Sequence, residues 1–152
     1  MHLKKLFLLS LAAGFLQSCV SSSLPDPVTT DHVATEGAGF VMHGQPRKVH
    51  YSVSYALRDL KPGSYTAVAE FENPGNANSP IRMTKRFTLP GKGLSLESPP
   101  LANIRTGQNY NVRLVIHQGG TSGPVVDTHE QQVNFGVPKS MAAQLNLATR
   151  ID

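Results

Sequence analysis

The chain has 152 residues, one cysteine, and 14 Lys and Arg residues against 10 Asp and Glu residues. Lys4 and Lys5 fall in the first 18 residues, and the remaining 134 residues carry 12 minus 10, or +2, charges. That length suffices for one domain with its own core. The weak charge, without any basic cluster, argues against nucleic-acid binding. A single cysteine excludes a disulfide within the chain.

The N-terminal segment has the features of an export signal. Two lysines precede an almost unbroken apolar run of 11 positions, Leu6 to Leu16, as in a secretory signal peptide. The run is shorter than the roughly 20 residues of a membrane-spanning helix. The following residues, Leu16-Gln17-Ser18-Cys19, resemble the lipobox of bacterial lipoproteins. The alternative is a soluble secreted protein, cut elsewhere, with one incidental cysteine.

The resemblance implies that Cys19 is lipidated and becomes the first residue of the mature chain. It implies a diacylglyceryl group on the sulfur and, in many bacteria, an N-acyl chain, and two such signals give stable membrane attachment. In Gram-negative relatives an Asp after the cysteine favours the inner membrane. Val20 stands there, which favours the outer membrane facing the periplasm.

Composition divides the chain into four parts. Residues 1–18 are the predicted signal peptide, and residues 19–36, rich in Ser, Thr, Pro and Asp, form a predicted flexible tether. Residues 37–137 form a predicted β-sandwich domain. Residues 138–152 form a tail or a short helix, since Met141, Leu145 and Ala148 have nearly helical spacing.

Period-two alternation predicts a series of strands in the central part. Clear apolar faces occur in the segments Val49 to Leu57, Tyr65 to Phe71 and Tyr110 to Ile116. Tyr51 and Tyr55 are therefore expected in the core rather than as exposed sugar-binding platforms. Further strands are predicted at Ile81 to Leu89, at Leu94 and Leu96, and at Val125 to Phe135, whose parity is clear only at its end.

Lys85 interrupts the apolar side of the strand from Ile81 to Leu89. A lysine that points inward blocks pairing at the edge of a sheet. This position therefore predicts an edge strand or a bulge.

Two segments resemble the tyrosine corner of immunoglobulin-like and fibronectin type III domains. They run from Ile104 to Tyr110 and from Leu60 to Tyr65. The resemblance implies that each Tyr hydroxyl bonds the main chain a few residues upstream. Together with the short strands and frequent Gly and Pro turns, it predicts an all-β fold, an antiparallel Greek-key (immunoglobulin-like) β-sandwich.

Few residues suggest chemistry. His117, Asp127 and His129 could form a zinc or copper site, but their spacing fits no known ligand motif, and solvent-facing polar residues are the preferred interpretation. Glu70 and Glu72 lie about 7 Å apart on one strand face and are interpreted as a solvated surface. Nucleophile motifs are absent. No catalytic residue, metal ligand or cofactor is therefore predicted.

The sequence favours a non-catalytic accessory or protein-interaction module of the cell envelope. Its partners would be membrane lipid, through acylated Cys19, and an envelope protein. Candidate contact regions are the strand around Lys85 and the loop from Gln118 to Pro124, because sheet edges recruit extended partners. The alternative is a lipoprotein that binds a small ligand, carbohydrate or metal. An enzyme is the least favoured class.

Overall fold

The computed structural model describes residues 25–44, 47–137, 141 and 148–149. The signal peptide and Cys19 lie outside the described residues, so lipidation stays a prediction. Within the described residues, no helix is long and apolar enough to cross a membrane. The strands are β1 (Val33–His43), β2 (Lys48–Leu57), β3 (Gly63–Phe71), β4 (Ile81–Leu89), β5 (Leu94–Glu97), β6 (Arg105–Thr106), β7 (Gln108–Gln118), β8 (Val125–Phe135) and β9 (Ala148–Thr149).

Two antiparallel sheets form the body of the protein. One has the order β1-β2-β5 and the other β4-β3-β7-β8. Their buried apolar side chains belong to one common core, because alternate residues of each strand face inward. The predicted all-β antiparallel sandwich is confirmed, while its Greek-key and immunoglobulin-like character stay predictions.

Aromatic side chains join the two sheets at the centre of the core. Tyr51 of β2 stacks on Phe71 of β3 with ring centroids 5.1 Å apart. Phe40 of β1 meets Phe135 of β8 edge to face at 4.9 Å. Such pairs contribute about 0.5–1.5 kcal/mol beyond the area that they bury. Tyr55 is also fully buried, so both tyrosines of β2 belong to the core, as predicted.

Strand β1 begins inside the range assigned to the tether. Val33 is 0% exposed, and β1 pairs with β2 from Val33 opposite Leu57 to His43 opposite Lys48. This corrects the predicted boundary between tether and domain at residues 36 and 37. The alternation that predicts strands is weak here because small residues and a register shift between Thr35 and Gly37 interrupt it.

A tight hairpin precedes this strand. Thr29 bridges Ala34, the Thr30 N–H donates to Val33 O at 2.8 Å, and the Thr35 N–H donates to Val28 O at 3.0 Å. The chain from Val28 onward is therefore hydrogen-bonded to the first residues of β1.

Both tyrosine hydroxyls make the hydrogen bonds that the corner resemblance implies. The Tyr110 hydroxyl accepts the Arg105 N–H at 2.8 Å. The Tyr65 hydroxyl donates to Lys61 O at 2.7 Å. Each bond fixes the approach of the chain to β7 or β3, because a buried phenol needs a partner for its polar end.

The C-terminal tail is described only in part. Ala148 and Thr149 pair in parallel with Arg105 and Thr106 as the β6-β9 sheet. These two positions are strand, so the predicted short helix does not extend to them. The rest of that prediction falls on residues outside the described ranges, apart from Met141.

Candidate functional site

The three residues considered for a metal site, His117, Asp127 and His129, do not share a site. His129 lies opposite Leu114 on β7 and is fully buried. His117 is an odd number of residues from Leu114 and lies on the outer face of the same sheet. Its Nδ1 is 3.0 Å from Gly123 O in the following loop. The two imidazoles are thus on opposite sides of the sheet.

Asp127 and His129 instead belong to a chain of polar groups that connects β8 to the N-terminal hairpin. Thr30 Oγ1 donates to Asp127 Oδ2 at 2.7 Å and lies 3.4 Å from His129 Nδ1. The His32 N–H donates to the same carboxylate oxygen at 2.9 Å. This series of hydrogen bonds therefore fastens the hairpin to the edge of the four-stranded sheet.

From His129, the series of hydrogen bonds extends toward β2. Its Nε2 is 2.8 Å from Thr35 Oγ1, Thr35 donates to Gln131 Oε1, and Gln131 Nε2 donates to the Tyr55 hydroxyl at 3.0 Å. The single hydroxyl proton of Thr35 is donated to Gln131, so Thr35 Oγ1 can only accept a hydrogen bond from His129. His129 therefore carries a proton on Nε2, as one tautomer of the neutral imidazole does. Burial lowers the pKa of His129, which agrees with a neutral imidazole.

Glu70 of β3 and Glu72, directly after the strand, make different contacts on the outer face of the four-stranded sheet. Glu70 accepts hydrogen bonds from Arg82 and from Arg113, and Arg113 also contacts Glu130 at 3.1 Å. The hydrogen bond from Arg82 is the main cause that lowers the pKa of Glu70. These four residues form a row of alternating charge across β4, β3, β7 and β8, since they are direct cross-strand partners.

Glu72 makes its contacts one step further along the sheet. Its Oε2 accepts the Asn111 N–H at 2.9 Å and the Asn111 side-chain amide at 2.8 Å. Both carboxylates line one shallow depression on this face, but each is occupied by hydrogen bonds to its own partners.

Strand β4 is an edge strand, as Lys85 predicts. Lys85 falls on the same parity as Met83 and Phe87, and its Nζ donates to Ser95 O on β5 at 2.9 Å. The Lys85 side chain of one sheet therefore contacts the main chain of the other sheet at the open side of the sandwich. It occupies a main-chain acceptor of β5 that would otherwise stay available at that edge.

The main chain of β4 alternates between paired and outward-facing groups. The Gly119 N–H donates to Ser64 O, and the Glu72 N–H donates to Asn111 O. The main-chain N–H and C=O groups of the even-numbered residues of β3 therefore point toward β7. Odd-numbered residues of β3 therefore face β4, where their direct partners are also odd-numbered. In an antiparallel ladder the intervening residues point away from the partner. These outward residues of β4 are Arg82, Thr84, Arg86 and Thr88.

The second predicted contact region, the loop from Gln118 to Pro124, is closed by its own hydrogen bonds. The Gln118 N–H donates to Pro124 O at 3.0 Å, and the Gly123 N–H donates to Gly120 O at 2.8 Å. A Cβ on Gly123 would lie 1.9 Å from Gln118 O, so only glycine fits. The loop thus has fewer main-chain groups to offer than the edge of β4.

A cluster of ionisable side chains lies on the outer face of the three-stranded sheet. His43 Nε2 is 2.6 Å from Glu97 Oε1, and His50 Nδ1 is 3.5 Å from the same oxygen. The two imidazoles stack with ring centroids 4.2 Å apart. His50 is held further by its Nδ1, which is 2.8 Å from Ser98 O. One donor atom of each residue lies within 4.8 Å of the other two.

Strand pairing explains why the sequence did not reveal this cluster. His43 is the last residue of β1, a strand that the sequence did not predict. Glu97 is the last residue of β5 and lies opposite Ser52 of β2, two residues after His50. The separations of 7 and 47 residues fit no ligand motif. The one available signal was His50 on the polar side of a strand whose other side is core.

Comparison of the chain with protein-family models, with curated proteins and with solved structures finds no match.

Proposed function

We propose that the protein is a lipid-anchored, non-catalytic interaction module of the bacterial cell envelope, and that an extended segment of a partner protein pairs with the edge of β4. The anchor rests on the lipobox resemblance at Cys19. Val20 favours the outer membrane facing the periplasm. The observation that carries the interaction is the row of outward main-chain groups at Arg82, Thr84, Arg86 and Thr88.

The other strand edges are partly occupied by other groups of the protein. Beside β8, Pro25, Asp26 and Val28 line a cavity of about 660 Å³ together with Gln131 and Gln132. This N-terminal segment continues from the predicted tether, so a partner strand at β8 would meet it. At β5, Lys85 already occupies Ser95 O. The N-terminal hairpin occupies the first part of β1.

The charges of β4 define the chemistry of the partner. Arg82 is paired with Glu70, whereas the ion pairs of the described residues do not include Lys85 or Arg86. Main-chain hydrogen bonds supply affinity in strand addition, and side chains supply specificity. The partner segment is therefore extended and carries acidic residues. Lys85 disfavours indiscriminate pairing between apolar strands.

A proline at Thr84 tests this proposal. T84P removes an N–H that faces away from β3, and proline is tolerated at such edge positions, whereas T84V keeps the donor. Each full-length variant is used to capture partners from detergent-solubilised envelopes, followed by cross-linking and mass spectrometry. A partner that is held by the wild type and T84V, lost with T84P, and cross-linked to β4 supports the proposal. No enriched partner, or capture unaffected by T84P in folded protein, contradicts it.

The anchor is tested separately. Intact-mass spectrometry of protein purified from its native membrane should show a diacylated Cys19 at the N-terminus. An unmodified thiol or a different first residue would refute lipid anchoring without affecting the proposal for β4.

A further inference from the structure

We infer that His43, His50 and Glu97 form a binding site for one divalent transition-metal ion, Zn²⁺ or Cu²⁺. This role is separate from partner binding at β4, because the three residues lie on the outer face of the other sheet. The sequence alone did not predict that these three side chains lie close together.

The donor set matches the proposed ions. Two imidazoles and one carboxylate are the protein ligands of zinc sites that keep a fourth position open. Imidazole ligands suit Zn²⁺ and Cu²⁺, whereas Mg²⁺ and Ca²⁺ prefer sites made of oxygen alone. Within the described residues, this is the one group of three such side chains whose donor atoms lie within 4.8 Å of each other.

The sheet holds the three residues in place. Val41 lies opposite His50, and His43 lies two residues further along β1 on the same face. Ser52 lies opposite Glu97, which puts Glu97 on that face as well. Sites built on paired strands are held more precisely than sites on loops.

His50 is held in place by its hydrogen bond to a main-chain carbonyl. Its side chain is 9% exposed, and its Nδ1 donates to Ser98 O in the neutral tautomer that leaves the lone pair on Nε2. The ring nitrogen that lies 3.5 Å from Glu97 Oε1 is Nδ1, so an ion on Nε2 requires Glu97 and His43 to rotate toward it. Metal-binding histidines usually donate their second ring nitrogen to a carbonyl or carboxylate in this way. A main-chain carbonyl thus fixes the ring before any ion arrives.

His43 and Glu97 are free to adjust. Their side chains are 56% and 46% exposed, and their contact at 2.6 Å is shorter than the roughly 3.4 Å between ligand atoms around a tetrahedral zinc ion. An ion takes the place of the proton that the two side chains share, and the pair opens by side-chain rotation. Solvent access on this side gives the ion an entry path and leaves water as its fourth ligand.

Calorimetric titration of the metal-free full-length protein, without a histidine tag, tests the inference. The titrants are ZnCl₂, CuCl₂ and, as a negative control, MgCl₂. One equivalent of Zn²⁺ should bind, Cu²⁺ should bind more tightly, in line with the general order of metal affinities, and Mg²⁺ should give no heat of binding. Absence of a saturable 1:1 event with either transition metal would overturn the inference.

Variants assign the ligands. H43Q and E97Q change exposed side chains and should keep the fold, which thermal melting checks. Each should weaken binding by more than about 10-fold, the loss that even groups behind a ligand cause. H117Q, on the opposite sheet, should bind like the wild type. Equal affinity of H43Q, E97Q and wild type, or an equal loss with H117Q, would place the ion elsewhere and refute the site.

Electron paramagnetic resonance of the Cu²⁺ complex gives an independent readout. Coupling to two imidazole nitrogens is expected for the wild type and for E97Q at saturating metal, and to one for H43Q. A spectrum with no imidazole coupling in the wild type would contradict coordination by His43 and His50.

Discussion

Val33→Ala tests whether the chain before residue 37 belongs to the folded domain. Val33 is 0% exposed and packs in the common core. The substitution removes two methyl groups, each contributing about 0.8 kcal/mol when buried. The cavity that remains adds to this loss. We expect the free energy of unfolding to fall by about 2 kcal/mol.

Val125→Ala is the matched control, because Val125 is 58% exposed and surface substitutions usually change stability by less than about 0.5 kcal/mol. Urea unfolding followed by circular dichroism measures both variants. In thermal unfolding, V33A should lower the Tm by about 8 °C for a domain of this size. If V33A and V125A have the same stability within about 0.5 kcal/mol, the N-terminal part of β1 is not part of the core and the original tether boundary is right.

Three further predictions concern single side chains. Y110F and Y65F should each cost about 0.5–1.5 kcal/mol, because each removes a hydroxyl that is hydrogen-bonded to the main chain of Arg105 or Lys61; unchanged stability in urea unfolding would contradict a structural role for these bonds. The lowered pKa of His129 means that its contribution to stability is complete above about pH 6.5 and is lost as the pH falls below that value toward the folded pKa. H129Q should therefore show a smaller decline in unfolding free energy between pH 7 and pH 5 than the wild type, and parallel pH profiles would argue against a neutral buried ring. K85L should give concentration-dependent sedimentation, since it completes an apolar side on an edge strand, and sedimentation identical to the wild type would show that Lys85 is no guard.

The sequence revealed the strands whose inward side is apolar throughout. In the central parts of β2, β3 and β7, every second residue is apolar and buried, so period-two alternation was sufficient. The edge position of β4 was one of the two possibilities that Lys85 indicated, the other being a bulge. Both tyrosine hydrogen bonds were implied by the resemblance of two segments, Ile104 to Tyr110 and Leu60 to Tyr65, to the tyrosine corner.

Other features depend on contacts between distant parts of the chain. The start of β8 had unclear parity because its inward residues include His129 and Gln131, which are polar and find their partners on β1 and β2. Strand β1 was missed because the register shift between Thr35 and Gly37 and the small residues that follow it interrupt the alternation. The cluster of His43, His50 and Glu97 requires knowledge of which strands become neighbours, and no local pattern contains that information.

The hairpin at residues 28–35 determines how the protein responds to force applied at its front end. Tension on the chain before Pro25 reaches the bonds of Thr29, Thr30 and Thr35 before it reaches the ladder between β1 and β2. These bonds, together with those from Thr30 and His32 to Asp127, are few and open one after another, so we expect them to yield at a lower load than the ladder. Their release lengthens the chain by about 20 Å at roughly 3.5 Å per residue, while the aromatic centre of the sandwich stays closed. Under the proposed lipid anchor at Cys19, the hairpin would act as an extensible link that absorbs displacement between the membrane and the folded body.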